Sequence, residues 1–151
     1  MKFSKLDQRG SVKGERMTQD RASGAAANEW GRVTARAIAS KIGAVMKGRT
    51  SNEATINGEK VVIKCAASAT DSVGVTFKML DRLDSIIGAF QLDDGSFELW
   101  LLSPEKFRQE MRDTRSRGSA AGKVGIVRKD FFEKSGRLLD RIRLDADEVK
   151  P

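Results

Sequence analysis

Apolar residues recur at helical spacing in two parts of the chain. The first predicted helix covers roughly residues 24–46, with Gly48 as its stop. Its apolar stripe consists of Trp30, Val33, Ala37, Ile38, Ile42 and Val45. A second helix is predicted near residues 75–90, where the stripe consists of Phe77, Leu80, Leu83, Ile87 and Phe90. Both stripes are typical of helices that pack one face against a core.

Turn signals bound the predicted strands. Asn57-Gly58 is a strong hairpin signal, and Asp94-Gly95 leads into the apolar strand "SFELWLLS". Ser103-Pro104 reads as the N-cap and first position of a short helix that ends near residue 112. The segment "VGIVRK" predicts another strand, and "KDFFEKSGRLLDRIRLD" leaves helix and strand both open. This order predicts an α/β fold in which one mixed sheet is flanked by helices.

The hairpin turn predicts which side chains share a face. With a two-residue turn, Ile56 pairs with Glu59 and Glu53 pairs with Val62, although a bulged turn would shift this register. One face then carries Ala54, Ile56, Val61, Ile63 and Cys65, and the other carries Glu53, Thr55, Val62 and Lys64. Glu53 and Lys64 become diagonal neighbours, within reach of long side chains.

Length and composition predict one globular domain. The chain has 151 residues, of which 39% are hydrophobic and 32% are charged. Residues 1–20 are polar and non-periodic, which predicts a mobile arm or a segment ordered only against a partner; residues 21–151 form the predicted domain. No apolar run has membrane-spanning length and no secretory signal is seen, so we expect no membrane partner and a cytoplasmic location.

Missing residue types narrow the chemistry. The chain has no histidine and no tyrosine, which excludes histidine bases, histidine metal ligands and Ser-His-Asp triads. The single cysteine, Cys65, excludes an internal disulfide and is predicted to be a buried structural thiol. Hydrolysis would have to depend on carboxylates, lysine, a metal ion or hydroxyl groups.

Charge is spread unevenly along the chain. Residues 1–50 carry 11 lysines and arginines against 4 acids, residues 51–100 carry 4 against 8, and residues 101–151 carry 13 against 9. Basic flanks around an acidic middle suit a protein that binds a polyanion, although ordinary solvated faces are the alternative.

Three residues form a candidate catalytic set. Glu53 and Lys64 share a predicted strand face, and Glu29 lies at the edge of the apolar stripe of the first helix. Two carboxylates can hold Mg²⁺ (or Mn²⁺), and a nearby lysine can orient or deprotonate a water molecule. The structural alternatives are a cross-strand ion pair between Glu53 and Lys64 and an ordinary first-turn acid at Glu29.

The order of these residues resembles the PD-(D/E)xK nuclease superfamily over roughly residues 25–103. Glu29 matches the helix acid of that family, Glu53 its first motif acid and Lys64 its motif lysine. The resemblance implies a restriction-endonuclease-like core and a metal-dependent DNA endonuclease that cleaves double-stranded DNA. We expect it to act as a homodimer, because cutting two strands needs two sites. The sequence departs from the pattern at Val62, where the family usually has an acid, and Glu53 replaces an aspartate. A non-catalytic nucleic-acid-binding module on this or another α/β fold is therefore the alternative.

A basic segment follows the predicted core. Glycine, serine and alanine separate its charges over residues 113–123, which lets the backbone approach a phosphate. The predicted DNA-binding residues are Arg112, Arg115, Arg117, Lys123, Arg128 and Lys129. A solvated connection is the alternative.

Overall fold

The structure is a computed structural model that describes the backbone of residues 9–113 and 123–145 and the side chains of residues 26–112 and 123–145. Its elements in chain order are α1 (Arg9–Ile42), β1 (Val45–Met46), β2 (Glu53–Ile56), β3 (Glu59–Ala66), β4 (Ser72–Thr76), α2 (Phe77–Leu80), β5 (Ser85–Gln91), β6 (Phe97–Leu102), α3 (Pro104–Glu110), β7 (Arg112–Asp113), β8 (Val124–Arg128), α4 (Lys129–Ser135) and β9 (Arg137–Ile142). The chain divides into two units, Met1–Trp30 and Gly31–Pro151. Among the described residues, no helix has the length and apolar character that a membrane span requires.

The first helix is longer at its start and shorter at its end than the sequence predicts. It begins at Arg9, within the segment predicted to be an arm, instead of near residue 24. It ends at Gly43, not Gly48, because Gly43 adopts a φ of 80° and the Ala44 N–H donates to the Ala39 carbonyl at 2.9 Å. This left-handed glycine with a six-to-one hydrogen bond is a common helix stop.

The predicted mixed α/β class is confirmed, but the sequence predicted one sheet, whereas two sheets form the second unit. Six described strands form the main sheet in the order β1-β2-β3-β5-β6-β9, and three form a smaller antiparallel sheet in the order β4-β8-β7. In the main sheet, β3 and β5 are parallel and every other neighbouring pair is antiparallel.

The hairpin prediction is confirmed in full. Asn57 and Gly58 adopt φ values of 51° and 80°, as a two-residue turn with left-handed central residues requires. Glu53 pairs with Val62 and Ile56 pairs with Glu59, so no bulge shifts the register. Glu53 and Lys64 therefore lie on the same face of the sheet.

The prediction of a second helix near residues 75–90 is wrong. The segment 75–90 divides into the end of β4, the one-turn helix α2 and the strand β5. The periodic apolar positions belong to different elements, and Ser85–Phe90 are all buried because β5 lies between β3 and β6 with both faces covered. A strand of this kind has a continuous apolar run, which periodicity cannot separate from a helix.

The remaining predictions of local structure are confirmed. The strand "SFELWLLS" forms β6, and "VGIVRK" forms β8. Pro104 begins α3, and the Ser103 hydroxyl accepts a hydrogen bond from the Lys106 N–H at 3.2 Å. The segment that left helix and strand open contains both, α4 followed by β9.

One hydrophobic core lies between the two sheets and the short helices. Its buried members are Val62, Ala66, Val73, Val75, Leu80, Leu83, Ile86, Phe90, Leu102, Phe107, Val127 and Phe132. The opposite face of the main sheet carries Ile63, Ile87 and Leu99, which are also fully buried. Both faces of β3 are therefore covered at its centre. Val62, which lies opposite Glu53, and Ile63, which precedes Lys64, are consequently shielded from solvent.

Candidate functional site

Glu53 is held in place by an arginine. Arg82, just after α2, donates from Nε to Oε1 at 3.1 Å and from Nη2 to Oε2 at 2.6 Å, which makes a two-bond fork. Lys47 lies 3.9 Å from Oε1, and the Ser51 hydroxyl accepts from the Glu53 N–H at 3.0 Å. The Arg82 hydrogen bond foremost, with the positive charges of Arg82, Lys47 and Lys60, lowers the pKa of Glu53 despite its burial. The carboxylate is therefore ionised at neutral pH and engaged on both oxygens.

Lys64 has a different environment. Lys64 lies two residues beyond Val62 in β3, on the same face of the sheet. It pairs with Gly88 of β5, which in turn pairs with Trp100 of β6. Burial lowers the pKa of Lys64. Among the described residues its ammonium group makes no hydrogen bond or ion pair, and the cross-strand ion pair with Glu53 is replaced by the contacts of Glu53 with Arg82 and Lys47. Lys64 is thus a desolvated lysine without a compensating carboxylate in that part of the chain.

We expect Lys64→Met to raise the free energy of unfolding by about 1 kcal/mol, or roughly 2–4 °C in Tm. Methionine keeps an apolar side chain of similar length and removes the desolvated ammonium group. The folded pKa of Lys64 lies below the 10.5 of the unfolded chain, so the unfolded state binds more protons in the window just below 10.5. Stability should therefore rise with pH through that window in the wild type and not in Lys64→Met.

Urea denaturation between pH 7 and 10 measures both effects. Burial raises the pKa of the neighbouring Cys65 from 9.0 to about 12, which acts in the opposite direction above pH 9. Both chains should therefore carry Cys65→Ala. A lower stability for Lys64→Met at pH 7 would contradict the prediction. The raised pKa keeps Cys65 a neutral thiol at neutral pH, although the residue is only partly buried and not fully buried as the sequence predicts.

The surroundings of Glu53 bear on the magnesium that the resemblance implies. Glu53 is a suitable oxygen ligand, but both of its oxygens bind Arg82, and Val62 at the usual acidic position is fully buried in the core. In the described part of the chain, no three His, Cys, Asp or Glu side chains form a group that could hold a metal ion. Mg²⁺ favours carboxylate-rich sites, so this arrangement suits an anion better than a divalent cation. Magnesium or manganese binding stays a prediction of the resemblance.

The third member of the candidate catalytic set, Glu29, lies on α1 in the first unit, whereas Glu53 and Lys64 lie in the second. Its role as a helix acid remains a prediction from the sequence.

The predicted DNA-binding residues are only partly available for a ligand. Arg128 lies 3.6 Å from both Asp71 and Asp130, and Lys129 lies 3.6 Å from the buried Glu98. Arg112 and Lys123 are exposed. Arg115 and Arg117 fall outside the described residues. Arg128 and Lys129 thus have partners within the fold, and their role in DNA binding stays a prediction.

Sequence reasoning missed a different group of cations, which lie on the hairpin and on the segments that lead to and from it. We define the hairpin cationic surface as Arg36, Lys47, Arg49, Lys60 and Arg82. Arg36 donates to the Arg49 carbonyl at 3.0 Å, which joins α1 to the loop before β2. Lys47, Lys60 and Arg82 line one open depression of about 350 Å³ together with Glu53. These residues do not form a basic run in the sequence, because they come from α1, the β1–β2 connection, β3 and the α2–β5 connection.

The exposed fractions of the side chains show which charges face solvent on this surface. The Lys47 side chain is 65% exposed and that of Arg82 is 45% exposed, whereas the Glu53 side chain is 11% exposed. The acid is thus less exposed than Lys47 and Arg82, so solvent at this carboxylate meets mainly their positive charge, while the exposed Asp84 lies beside Lys60. Such a surface attracts polyanions and releases their counterions on binding.

A second buried carboxylate has a structural explanation. Glu98 of β6 accepts from Trp100 Nε1 at 3.3 Å and from Arg141 Nη2 at 2.5 Å, and Lys129 lies 3.6 Å away. These partners hold the pKa of Glu98 below its usual value despite burial. They tie β9 and α4 to the main sheet.

The described residues therefore define a mixed α/β protein with a cation-rich surface at one hairpin. No known family model matches the chain, and no curated protein matches it significantly.

Proposed function

We propose that this protein binds double-stranded DNA through the hairpin cationic surface. The observation that carries the proposal is the arrangement of exposed Lys47 and Arg82 above the buried Glu53 carboxylate. Lysine and arginine contacts with phosphates supply most of the non-specific affinity of DNA-binding proteins. The surface draws its cations from four separate parts of the second unit, and Lys47, Lys60 and Arg82 meet at one depression only in the folded chain.

The resemblance to the restriction-endonuclease-like fold favours DNA among polyanions. The confirmed hairpin register, followed by the parallel pairing of β3 with β5, is compatible with such a core. We also propose a homodimer, because a two-fold protein matches the two-fold backbone of duplex DNA.

The test of DNA binding is a salt titration. We expect the affinity for a fluorescein-labelled 20-base-pair duplex to fall steeply with salt, with a log–log slope of about −3 to −5 if most of the five cations contact phosphates. Arg49→Gln should weaken binding severalfold and reduce the slope by about one. Fluorescence anisotropy measures both quantities.

Lys134→Gln is the matched control for this titration, because it removes one exposed positive charge on α4 that is not part of the hairpin cationic surface. It should leave the affinity unchanged. Absence of binding at 50 mM salt, or affinity that does not depend on salt, would exclude the proposed function. Analytical ultracentrifugation of the same samples tests the homodimer.

Phosphodiester hydrolysis is a second candidate, and Lys64 is the observation that favours it. A desolvated lysine with a lowered pKa can accept or donate a proton at Nζ, and it shares the sheet face of Glu53. If the protein cleaves DNA there, wild type should nick supercoiled plasmid, and Lys64→Met should nick at least about 100-fold more slowly while still binding duplex. Parallel reactions with Mg²⁺, Mn²⁺ and EDTA test the predicted metal. Equal nicking by both proteins would assign the cleavage to another site.

A further inference from the structure

The depression at the hairpin contains a guanidinium group with one edge occupied and the other available. Glu53 takes the Nε–H of Arg82 and one Nη2–H. An arginine has five N–H donors, so three remain after this fork. Because the side chain is 45% exposed, these donors are accessible to a ligand. The fork therefore fixes the plane of the guanidinium group and leaves donors for a second oxyanion.

Two lysines complete the cation set. Lys60 lies across from Thr55 in the hairpin, on the same face as Glu53 and Val62. Its backbone N–H donates to Asp84 at 2.8 Å, which ties the α2–β5 connection to β3. Lys47 approaches from the other side, where its N–H donates to the Glu53 carbonyl at 2.8 Å. Three cations and the Glu53 carboxylate line the depression, and the Asp84 carboxylate lies beside it at the Lys60 N–H, so the positive charges outnumber the negative ones by one.

The volume and the donor types agree with one ligand class. About 350 Å³ is room for a phosphate group with several water molecules of about 30 Å³ each. Planar guanidinium groups bind phosphate oxygens in pairs, and lysines add point charge. A carboxylate that engages a guanidinium group with both oxygens is a positioning group for it.

We propose that this depression binds one phosphate group of bound DNA, with Arg82 as the main donor, Lys47 and Lys60 as flanking cations, and Glu53 as the residue that positions Arg82. This inference rests on the proposed DNA-binding function and specifies its central contact. Arg82 then supplies at this position the positive charge that a metal ion would otherwise supply, so phosphate binding does not need a divalent cation.

Duplex affinity and its salt slope test the site. Arg82→Gln should weaken binding about tenfold and reduce the slope by about one, and Lys47→Gln and Lys60→Gln should each weaken it about threefold. Arg82→Lys keeps the charge and loses the planar fork, so it should recover little of the lost affinity. Lys134→Gln is the control, and EDTA should change nothing. Circular dichroism melts confirm that each variant folds.

Glu53→Gln separates positioning from simple repulsion. If Glu53 only repels phosphate, removal of its charge tightens DNA binding. If it positions Arg82, binding weakens even though a negative charge is lost, and this is the expected result. Tighter binding by Glu53→Gln would overturn the positioning role.

Inorganic phosphate tests the site without DNA. At matched ionic strength, 50 mM phosphate should raise the Tm of wild type more than that of Arg82→Gln, because a bound ligand stabilises the folded state. General salting effects act on both proteins equally. Equal shifts, together with wild-type duplex affinity for Arg82→Gln, would overturn the phosphate site while DNA binding stands. A phosphate-specific shift without duplex binding would keep the site and exclude the proposed function.

Discussion

Val62→Glu is expected to lower the free energy of unfolding by about 3–5 kcal/mol, enough to unfold a marginal domain. Val62 is fully buried, packs in the core with Ile86 and pairs across the hairpin with Glu53. The new carboxylate would lose its hydration and lie directly opposite an existing one. Urea denaturation followed by tryptophan fluorescence measures the loss.

Val62→Ala is the control for lost volume, and it should cost less because it buries no charge. The same pair of variants probes the resemblance to the nuclease family, in which this position is usually acidic. If Mn²⁺ restores stability to Val62→Glu and leaves wild type unchanged, two carboxylates at this hairpin can bind a metal ion. Wild-type stability for Val62→Glu without metal would contradict the described packing around Val62.

Phe132→Ala is expected to cost about 3–5 kcal/mol, as large aromatic truncations in cores do. Phe132 of α4 is fully buried and makes edge-to-face contacts with Phe90 at 5.3 Å and Phe107 at 6.4 Å between ring centroids. Its removal would leave a cavity at the point where α4, α3 and β5 meet. Phe131→Ala is the matched control, since Phe131 is only partly buried, and it should cost distinctly less.

A double-mutant cycle with Gly88 sharpens this second prediction. A Cβ at Gly88 would lie 3.0 Å from Phe132 Cε1 and 2.8 Å from Phe90 Cε2, closer than normal packing allows. Gly88→Ala should therefore destabilise wild type, and less so in the Phe132→Ala background, where one of the two rings is gone. Additive losses would show that the Phe132 ring does not limit the space above Gly88.

The hairpin links these core predictions to the proposed function. Glu53 lies at the margin of the core, where the main sheet gives way to the cation-rich depression. Its pKa is lowered, chiefly by Arg82, so its stabilising contribution is present above pH 4.5 and is lost as pH falls through the folded pKa. The same fork thus stabilises the hairpin and holds the proposed phosphate donor.

Local signals predicted the hairpin register because a two-residue Asn-Gly turn leaves the strands one way to pair. They also predicted β6, β8 and the capped start of α3, since each signal lies within a few neighbouring residues. The prediction of a helix over residues 75–90 was wrong because the apolar residues there satisfy a helical period and are equally compatible with a strand buried on both faces. Only the pairing of β5 with β3 and β6 decides between them.

The sequence by itself determined the mixed α/β class, the shared face of Glu53 and Lys64, and the absence of histidine chemistry. Turn chemistry and side-chain alternation act over a few residues, so they can be read directly. Only the tertiary structure decided that Arg82, 29 residues beyond Glu53, takes both of its oxygens, and that Lys64 has no such partner among the described residues. Ion pairs between distant segments depend on how strands and connections pack, and local sequence carries no record of that packing.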